Sequence, residues 1–197
     1  DLTVGCCGTA HLDGSASSDP DGDSITYAWH EGSTLLSTSA NPSLSLKAGT
    51  HTLTLTVTDP SGASSTDTVV VTVEAMGFEG FLEPIGGADA TGGSFADPVR
   101  AFKLGSTIPV KFRALCCGAD VLTGVHTLQA IKYSDAVSSA AAIDATPTDA
   151  ATTGNQFRLT GNQWHFNLDT GFLSKGTWKL VATLSDGSTH FVWITLK

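Results

Sequence analysis

Residues 52–58 alternate without a break. Leu53, Leu55 and Val57 fall on one side of an extended chain, and Thr52, Thr54, Thr56 and Thr58 fall on the other. Successive side chains of a strand point to opposite faces, so this is the pattern of a strand with one buried face. Residues 24–29 repeat it, with Ile25, Tyr27 and Trp29 on a single face, and residues 66–74 form a further Val-rich strand. Turn-formers separate these runs at Asn41-Pro42, Ala48-Gly49 and Asp59-Pro60-Ser61-Gly62. Short strands at this spacing predict an antiparallel β-sandwich with Trp29 in its core.

The pattern breaks at Ala75-Met76-Gly77, and residues 78–98 are rich in Gly, Asp and Pro, with Phe78 and Phe81 as the main apolar anchors. A domain joint is expected near residue 76. Strand patterns resume at Ile108–Phe112, Thr127–Ile131 and Gln163–Leu168, and again on both sides of Ser185-Asp186-Gly187-Ser188, where Asp-Gly between alternating runs is a hairpin signal. Residues 136–153 are mostly Ala, Ser, Thr and Asp and are expected to form a surface loop, with a helical turn over Asp135–Ala142 permitted by the alanines. The predicted fold class is all-β, with two tandem immunoglobulin-like β-sandwich domains at residues 1–75 and 76–197.

Composition narrows the function. The 197 residues carry 19 carboxylates against 10 lysines and arginines, a net charge of −9. Such a field repels phosphate backbones, so no nucleic acid partner is expected, while it favours divalent cations. No apolar run reaches the roughly 20 residues a membrane helix needs, so no membrane insertion is expected. The sequence opens directly on a strand-like Asp1-Leu2-Thr3-Val4, as a mature product or a fragment of a longer protein would.

The acidic turn Asp19-Pro20-Asp21-Gly22-Asp23 has three readings. Asp side chains bond their own backbone in turns, and Gly takes positive φ without strain. Alternating carboxylates also suit calcium, which takes several oxygen ligands. An EF-hand is excluded, because the twelfth position counted from Asp19 is His30 rather than Glu. Asp59, which ends another strand, is placed to add a ligand from a second loop. A hydrolytic acid pair needs a lined cleft, and the flanks here offer only a compact turn. The turn and calcium readings both stay open at this point.

The run Leu12-Asp13-Gly14-Ser15-Ala16-Ser17-Ser18-Asp19-Pro20-Asp21-Gly22-Asp23, then Tyr27-Ala28-Trp29, then Gly49 through Asp59 strongly resembles the PKD domain over residues 1–74. The resemblance implies an immunoglobulin-like sandwich of a secreted protein, a non-catalytic spacer or contact module. It also implies calcium ligands at Asp19, Asp21 and Asp59, with Asp23 a further candidate. Phe78-Glu79-Gly80-Phe81-Leu82-Glu83-Pro84, Leu104 through Phe112 with its Pro109-Val110-Lys111-Phe112, and Leu184 through His190 resemble the PxKF module of secreted bacterial proteins over residues 78–197.

The cysteines form two adjacent pairs, Cys6-Cys7 and Cys116-Cys117, each beside glycine and each expected in a loop. In a secreted chain they are expected to be oxidised. Vicinal closure and pairing across the two domains are both open, and an interdomain bridge, closing about 110 residues, would stabilise by roughly 4–5 kcal/mol. Thiolate metal binding and cross-linking between chains are the functional alternatives. His11, His30, His51, His126, His165 and His190 are dispersed, and neither an H-E-x-x-H nor a G-x-S-x-G is present. Lys111 reads as a lysine on the outward face of an edge strand, with an intramolecular isopeptide bond as the alternative. The expected function is a non-catalytic structural or adhesive module of an extracellular protein, contacting neighbouring domains or identical subunits. The alternative is a polysaccharide- or fibrous-protein-binding module using Trp164, Trp178 and Trp193.

Overall fold

The computed structural model describes residues 1–6, 8–86, 92–134, 137–138, 140–148 and 153–197. All regular structure among the described residues is strand, and no helix there is long and apolar enough to cross a membrane. The chain divides into two compact units, Asp1–Ala75 and Met76–Lys197.

The N-terminal unit holds β1 (Leu2–Val4), β2 (Ala10–His11), β3 (Thr26–Glu31), β4 (Thr34–Ser37), β5 (Ser43–Leu44), β6 (Gly49–Thr58) and β7 (Ser64–Val73). Five of these make one sheet in the order β1-β7-β6-β3-β4, and β2 pairs with β5 in a second, smaller one. Within the large sheet β1 is parallel to β7 and the other pairs are antiparallel. The alternation read along β6 is what faces the core: Leu53 and Leu55 are buried and pack with Trp29, Val71, Val73, Ala10 and Leu12. Trp29 lies directly across from Leu55. Its indole N–H donates to the Ser39 carbonyl at 3.1 Å, so its one polar atom is satisfied inside the sandwich.

The C-terminal unit holds β8 (Gly77–Glu79), β9 (Arg100–Phe102), β10 (Thr107–Cys116), β11 (Ala119–Asp120), β12 (Thr127–Ser134), β13 (Val137–Ser138), β14 (Ile143–Asp144), β15 (Arg158–Thr160), β16 (Gln163–Asp169), β17 (Gly176–Thr183) and β18 (Thr189–Leu196). One sheet runs β11-β10-β16-β15 with β8 also on β10, and the other runs β13-β12-β17-β18-β9 with β14 also on β12. Ile108, Val110, Phe112 and Ala114 from β10 are buried, as are Trp164, Phe166 and Leu168 from β16, and so are Trp178, Leu180 and Ala182 from β17 and Val192, Ile194 and Leu196 from β18. Strict alternation in four strands brings two apolar faces together, which is the condition for a sandwich. Asp186-Gly187 closes the β17–β18 hairpin, where Gly187 takes φ of +91°.

Two expectations are corrected. Residues 137–138 and 143–144 are short strands on β12, not loop or helical turn. The exposed backbone edge of β12 offers a ladder, and tertiary pairing overrides the weak helical preference of alanine. The rest of that call, at residues 135, 136, 139 and 149–152, lies outside the described residues. Lys111 is not on an edge strand either: it pairs with His165 on β16, and its carbonyl accepts the Leu82 N–H at 2.8 Å on the other side.

Phe112 is fully buried between the rings of Phe78 and Phe157, at centroid distances of 5.2 and 4.8 Å. Phe112→Ala removes that filling and is expected to cost about 3–5 kcal/mol in urea unfolding. Leu35→Ala, at a side chain that is 54% exposed on β4, is expected to change stability by under about 0.5 kcal/mol.

Candidate functional site

The acidic turn is built from Asp19. Its Oδ1 accepts the N–H of Asp21 at 2.9 Å and of Asp23 at 3.2 Å, and its carbonyl accepts the Gly22 N–H at 3.2 Å. Gly22 has φ of +83°, the conformation glycine permits without strain. Asp59 repeats the device at the end of β6. Its Oδ1 accepts the Ala63 N–H at 2.9 Å, and the Ser61 hydroxyl donates to both carboxylate oxygens at 2.9 and 3.0 Å. The Ser61 hydroxyl, against an opposing effect of burial and aided by the N–H groups of Ala63, Gly62 and Ser61, holds the Asp59 carboxyl below the usual carboxylate range. Asp13 does the same with the hydroxyl and N–H of Ser15, at 2.6 and 2.9 Å, which lower its pKa.

Asp19 and Asp59 line one shallow groove of about 190 Å³ with Pro20, Ile25 and Val57, while Asp21 and Asp23 stay exposed beside it. Among the described residues no three of these four carboxylates bring oxygens within 4.8 Å of one another. A larger cleft of about 550 Å³ opens in the same unit, with Leu12, Trp29 and Leu55 at its floor and Asp1, Asp13 and Asp67 among its lining.

Cys6 and Cys116 are each disulfide-bonded. Cys7 lies outside the described residues. Cys117, expected among the oxidised cysteines, is instead a free and exposed thiol. It sits with Gly118 in the two-residue turn joining β10 to β11, where both residues have positive φ, +51° and +83°. Such a turn carries its side chains outward from the ladder.

Of the three tryptophans considered for a polymer-binding row, Trp164 and Trp178 are core residues, 4% and 5% exposed, and their indole N–H groups donate to the carbonyls of Val121 and Ser174. Trp193 is half-buried on the outer face of β18. It packs edge-on against Tyr133 at 4.5 Å, and Lys179 Nζ lies 5.7 Å above it.

The burial of two groups was not legible in the sequence. Asp186 is buried in the β17–β18 hairpin, where it accepts the N–H of Met76 at 2.7 Å together with the N–H and hydroxyl of Ser188 at 2.9 and 2.7 Å. Burial works to raise its pKa, but those donors outweigh it and hold the carboxyl below its ordinary value. His126 is fully buried against Trp164 and Phe112, with ring centroids 4.2 and 5.7 Å away. Its Nδ1 accepts the Ser185 N–H at 3.1 Å, which leaves the ring proton on Nε2, an atom with no hydrogen-bond partner among the described residues. Burial drives its pKa down to about 4, against a smaller upward pull from Asp186. The remaining histidines are surface or strand-face groups. His51 is raised chiefly by the Lys47 carbonyl and then, against burial, by Glu31, and His165 is lowered by burial and by the charges of Lys111 and Arg158.

Residues 1–73 match the K319L-like PKD domain family. That match lies within the N-terminal unit. The matched family indicates no enzyme. No curated protein matches the chain. Among solved structures, similarity is found to the Bacteroides ovatus mixed-linkage glucan utilization locus protein SGBP-B in complex with a mixed-linkage heptasaccharide, at 15% identity over 98% of this chain and 42% of that one, with a TM-score of 0.37. Sidekick-1 immunoglobulin domains 1–4 follow at 13% identity, over 100% and 46%, with a TM-score of 0.30. The N-terminal Ig1-2 module of the Drosophila receptor protein tyrosine phosphatase DLAR stands at 12% identity, over 100% and 93%, with a TM-score of 0.26. The chain spans less than half the length of the first two. All are distant, and the all-β, immunoglobulin-like class stands on the strand order itself.

The buried histidine sets a pH dependence. Its folded pKa of about 4 lies below the unfolded value near 6.5, so the unfolded chain takes up the proton first. Stability is therefore full above about pH 6.5 and declines as pH falls to about 4, by on the order of 3 kcal/mol. His126→Asn keeps an acceptor for the Ser185 N–H but does not titrate. Urea unfolding across this range is expected to show a slope in the native protein that flattens in the variant.

Proposed function

We propose that the chain is a non-catalytic, extracellular structural or adhesive module, a spacer or display unit of a larger secreted protein. What carries this reading is the use to which its polar groups are put. Asp13, Asp19, Asp59 and Asp186 each hold a turn, and Cys6 and Cys116 are oxidised. Aspartates engaged this way stiffen loops at strand ends, which suits a load-bearing or spacing part. Oxidised cysteines suit a secreted compartment. The PKD match of residues 1–73 supports the module class, and the resemblance of residues 78–197 to the PxKF module of secreted proteins extends it to the second unit. Electron microscopy and light scattering of the purified chain test the filament-building form of this role: end-to-end assemblies support it, and a monomer at all concentrations restricts the role to spacing or display.

A second reading, binding to polysaccharide, is favoured by Trp193 on the outer face of β18 beside Tyr133 and Lys179. Pull-down with insoluble polysaccharides tests it. Binding that falls at least tenfold in Trp193→Ala supports a glycan platform, and no retention on any polymer removes it.

Calcium belongs to the proposal as well. Asp19 and Asp59 line one groove, and the Oδ2 atom of each keeps acceptor capacity beyond the turn bonds described, which occupy chiefly Oδ1. These two would be the principal ligands, with Asp21 and Asp23 as outer candidates. Binding to the folded state alone raises stability by about 2.7 kcal/mol at a hundredfold excess over Kd. The melting temperature is expected to rise by several degrees in millimolar calcium over chelator, and the rise to vanish in Asp59→Asn. An unchanged melting temperature removes all four aspartates as ligands.

A further inference from the structure

The sheet that contains β12, β17 and β18 buries one set of side chains and turns the other outward. Leu128, Ala130, Leu180, Ala182, Val192 and Ile194 are buried, so the odd-numbered residues between them stand on the outer face. Three outward positions on each of the three strands, at 129–133, 177–181 and 191–195, hold one charged group, Lys179, and no carboxylate. Register places Ile131, Lys179 and Trp193 directly across from one another in a single row. Rings gather around the lysine. Its Nζ lies 4.1 Å from the centroid of Phe191 and 5.7 Å from that of Trp193. Tyr133 and Phe95 stand edge-on to Trp193, at 4.5 and 6.4 Å. All five side chains are half-buried.

Two polar groups on this face lack a protein partner. Among the described residues no carboxylate oxygen lies within 4.0 Å of Lys179. The indole N–H groups of Trp29, Trp164 and Trp178 donate to backbone carbonyls, whereas that of Trp193 has no acceptor among the described residues. The face also offers no strand edge. β17 lies between β12 and β18, and the far side of β12 pairs with β13 and β14. On the far side of β18 the Trp193 N–H donates to the Gly92 carbonyl at 2.8 Å, and the Trp193 carbonyl accepts the Val99 N–H at 2.9 Å. A peptide that binds by strand addition finds no ladder here. Three strands over five residues span roughly 14 by 17 Å, well short of the roughly 800 Å² that each partner of a stable protein complex buries. The unit bearing the face carries nine lysines and arginines against ten carboxylates, a formal charge of −1, so it does not repel an anionic polymer.

We propose that this face binds a short stretch of an acidic polysaccharide, with a sugar carboxylate on Lys179 and the sugar ring against Trp193. The inference rests on the polysaccharide reading above and names the ligand class. The C–H groups of a pyranose ring are apolar and meet an aromatic surface without losing hydrogen bonds to water. A sugar hydroxyl accepts the Trp193 indole N–H. The carboxylate takes the ammonium in a charge-assisted hydrogen bond, and the rings of Phe191 and Trp193 shield that ammonium from water on one side. A neutral sugar makes the first two contacts and leaves Lys179 unpaired, so the lysine decides between acidic and neutral polymers.

The test uses the whole chain and soluble cello-, laminari- and malto-oligosaccharides, each in its neutral form and with the primary hydroxyls oxidised to carboxylates, with polyglutamate as a control. Titration calorimetry reads affinity. At least one oxidised oligosaccharide is expected to bind at least tenfold more tightly than its neutral parent, and to weaken at least threefold from about 50 to about 500 mM salt. Lys179→Gln is expected to bring the oxidised form down to the affinity of the neutral one. Lys179→Arg is expected to keep the preference, which separates loss of the charge from loss of the fold. Oxidised forms that bind no better than neutral ones overturn the acidic ligand and leave the polysaccharide reading standing. No binding of any oligosaccharide overturns both. Polyglutamate bound as tightly as the oxidised forms, or a preference that survives Lys179→Gln, overturns the site.

Discussion

Everything in this molecule rests on the pleat of the β-strand, which sends successive side chains to opposite faces. Because that period is two, the apolar residues of β6, β10, β16, β17 and β18 are gathered on single faces, and burying those faces against each other is what closes each unit. A one-residue slip in any of these strands would turn its apolar set to water. Register is therefore held firmly, and the turns at strand ends must hold it too.

The aspartates serve that need. Asp13, Asp19, Asp59 and Asp186 lie in different loops yet make one kind of bond, a carboxylate accepting a backbone N–H two to four residues ahead. The same geometry that fixes a turn depresses the carboxyl's pKa where its effect is resolved, at Asp13, Asp59 and Asp186. A cluster of acids along the sequence thus becomes a set of separate turn locks, and Asp19 and Asp59 alone come to share a groove.

Where alternation stops serving the core, the surface takes on other properties. Among the described residues the second sheet of the N-terminal unit is the β2–β5 pair, and a cleft lined by Leu12, Trp29 and Leu55 with Asp13 and Asp67 opens in that unit. In the C-terminal unit both sheets are larger, and aromatic residues fill the interior: Phe112 packs edge-on against His126 and Phe157, Phe157 lies against Phe166, and His126 packs edge-on against Trp164. The polar imidazole in that cluster makes one hydrogen bond, to the Ser185 N–H, and its burial couples the C-terminal unit to pH.

By itself the sequence determined the all-β class, the core strands and the turn at Asp19 through Asp23, because these depend on neighbours two to four residues apart. Alternation at Leu53, Leu55 and Val57 and the Asp-Gly pairs are local signals and were readable as such. Only the tertiary structure decided which strands are central and which are edges: Lys111 looks like an edge lysine until β8 and β16 are placed on either side of it. Likewise Trp164, Trp178 and Trp193 are indistinguishable in sequence, since each sits in an alternating strand, and the side its face turns to depends on what lies across the sheet. The burial of His126 and Asp186 went unread for the same reason. Their environment is assembled from residues some 40 to 110 positions away, and burial is a property of that assembly rather than of any local pattern.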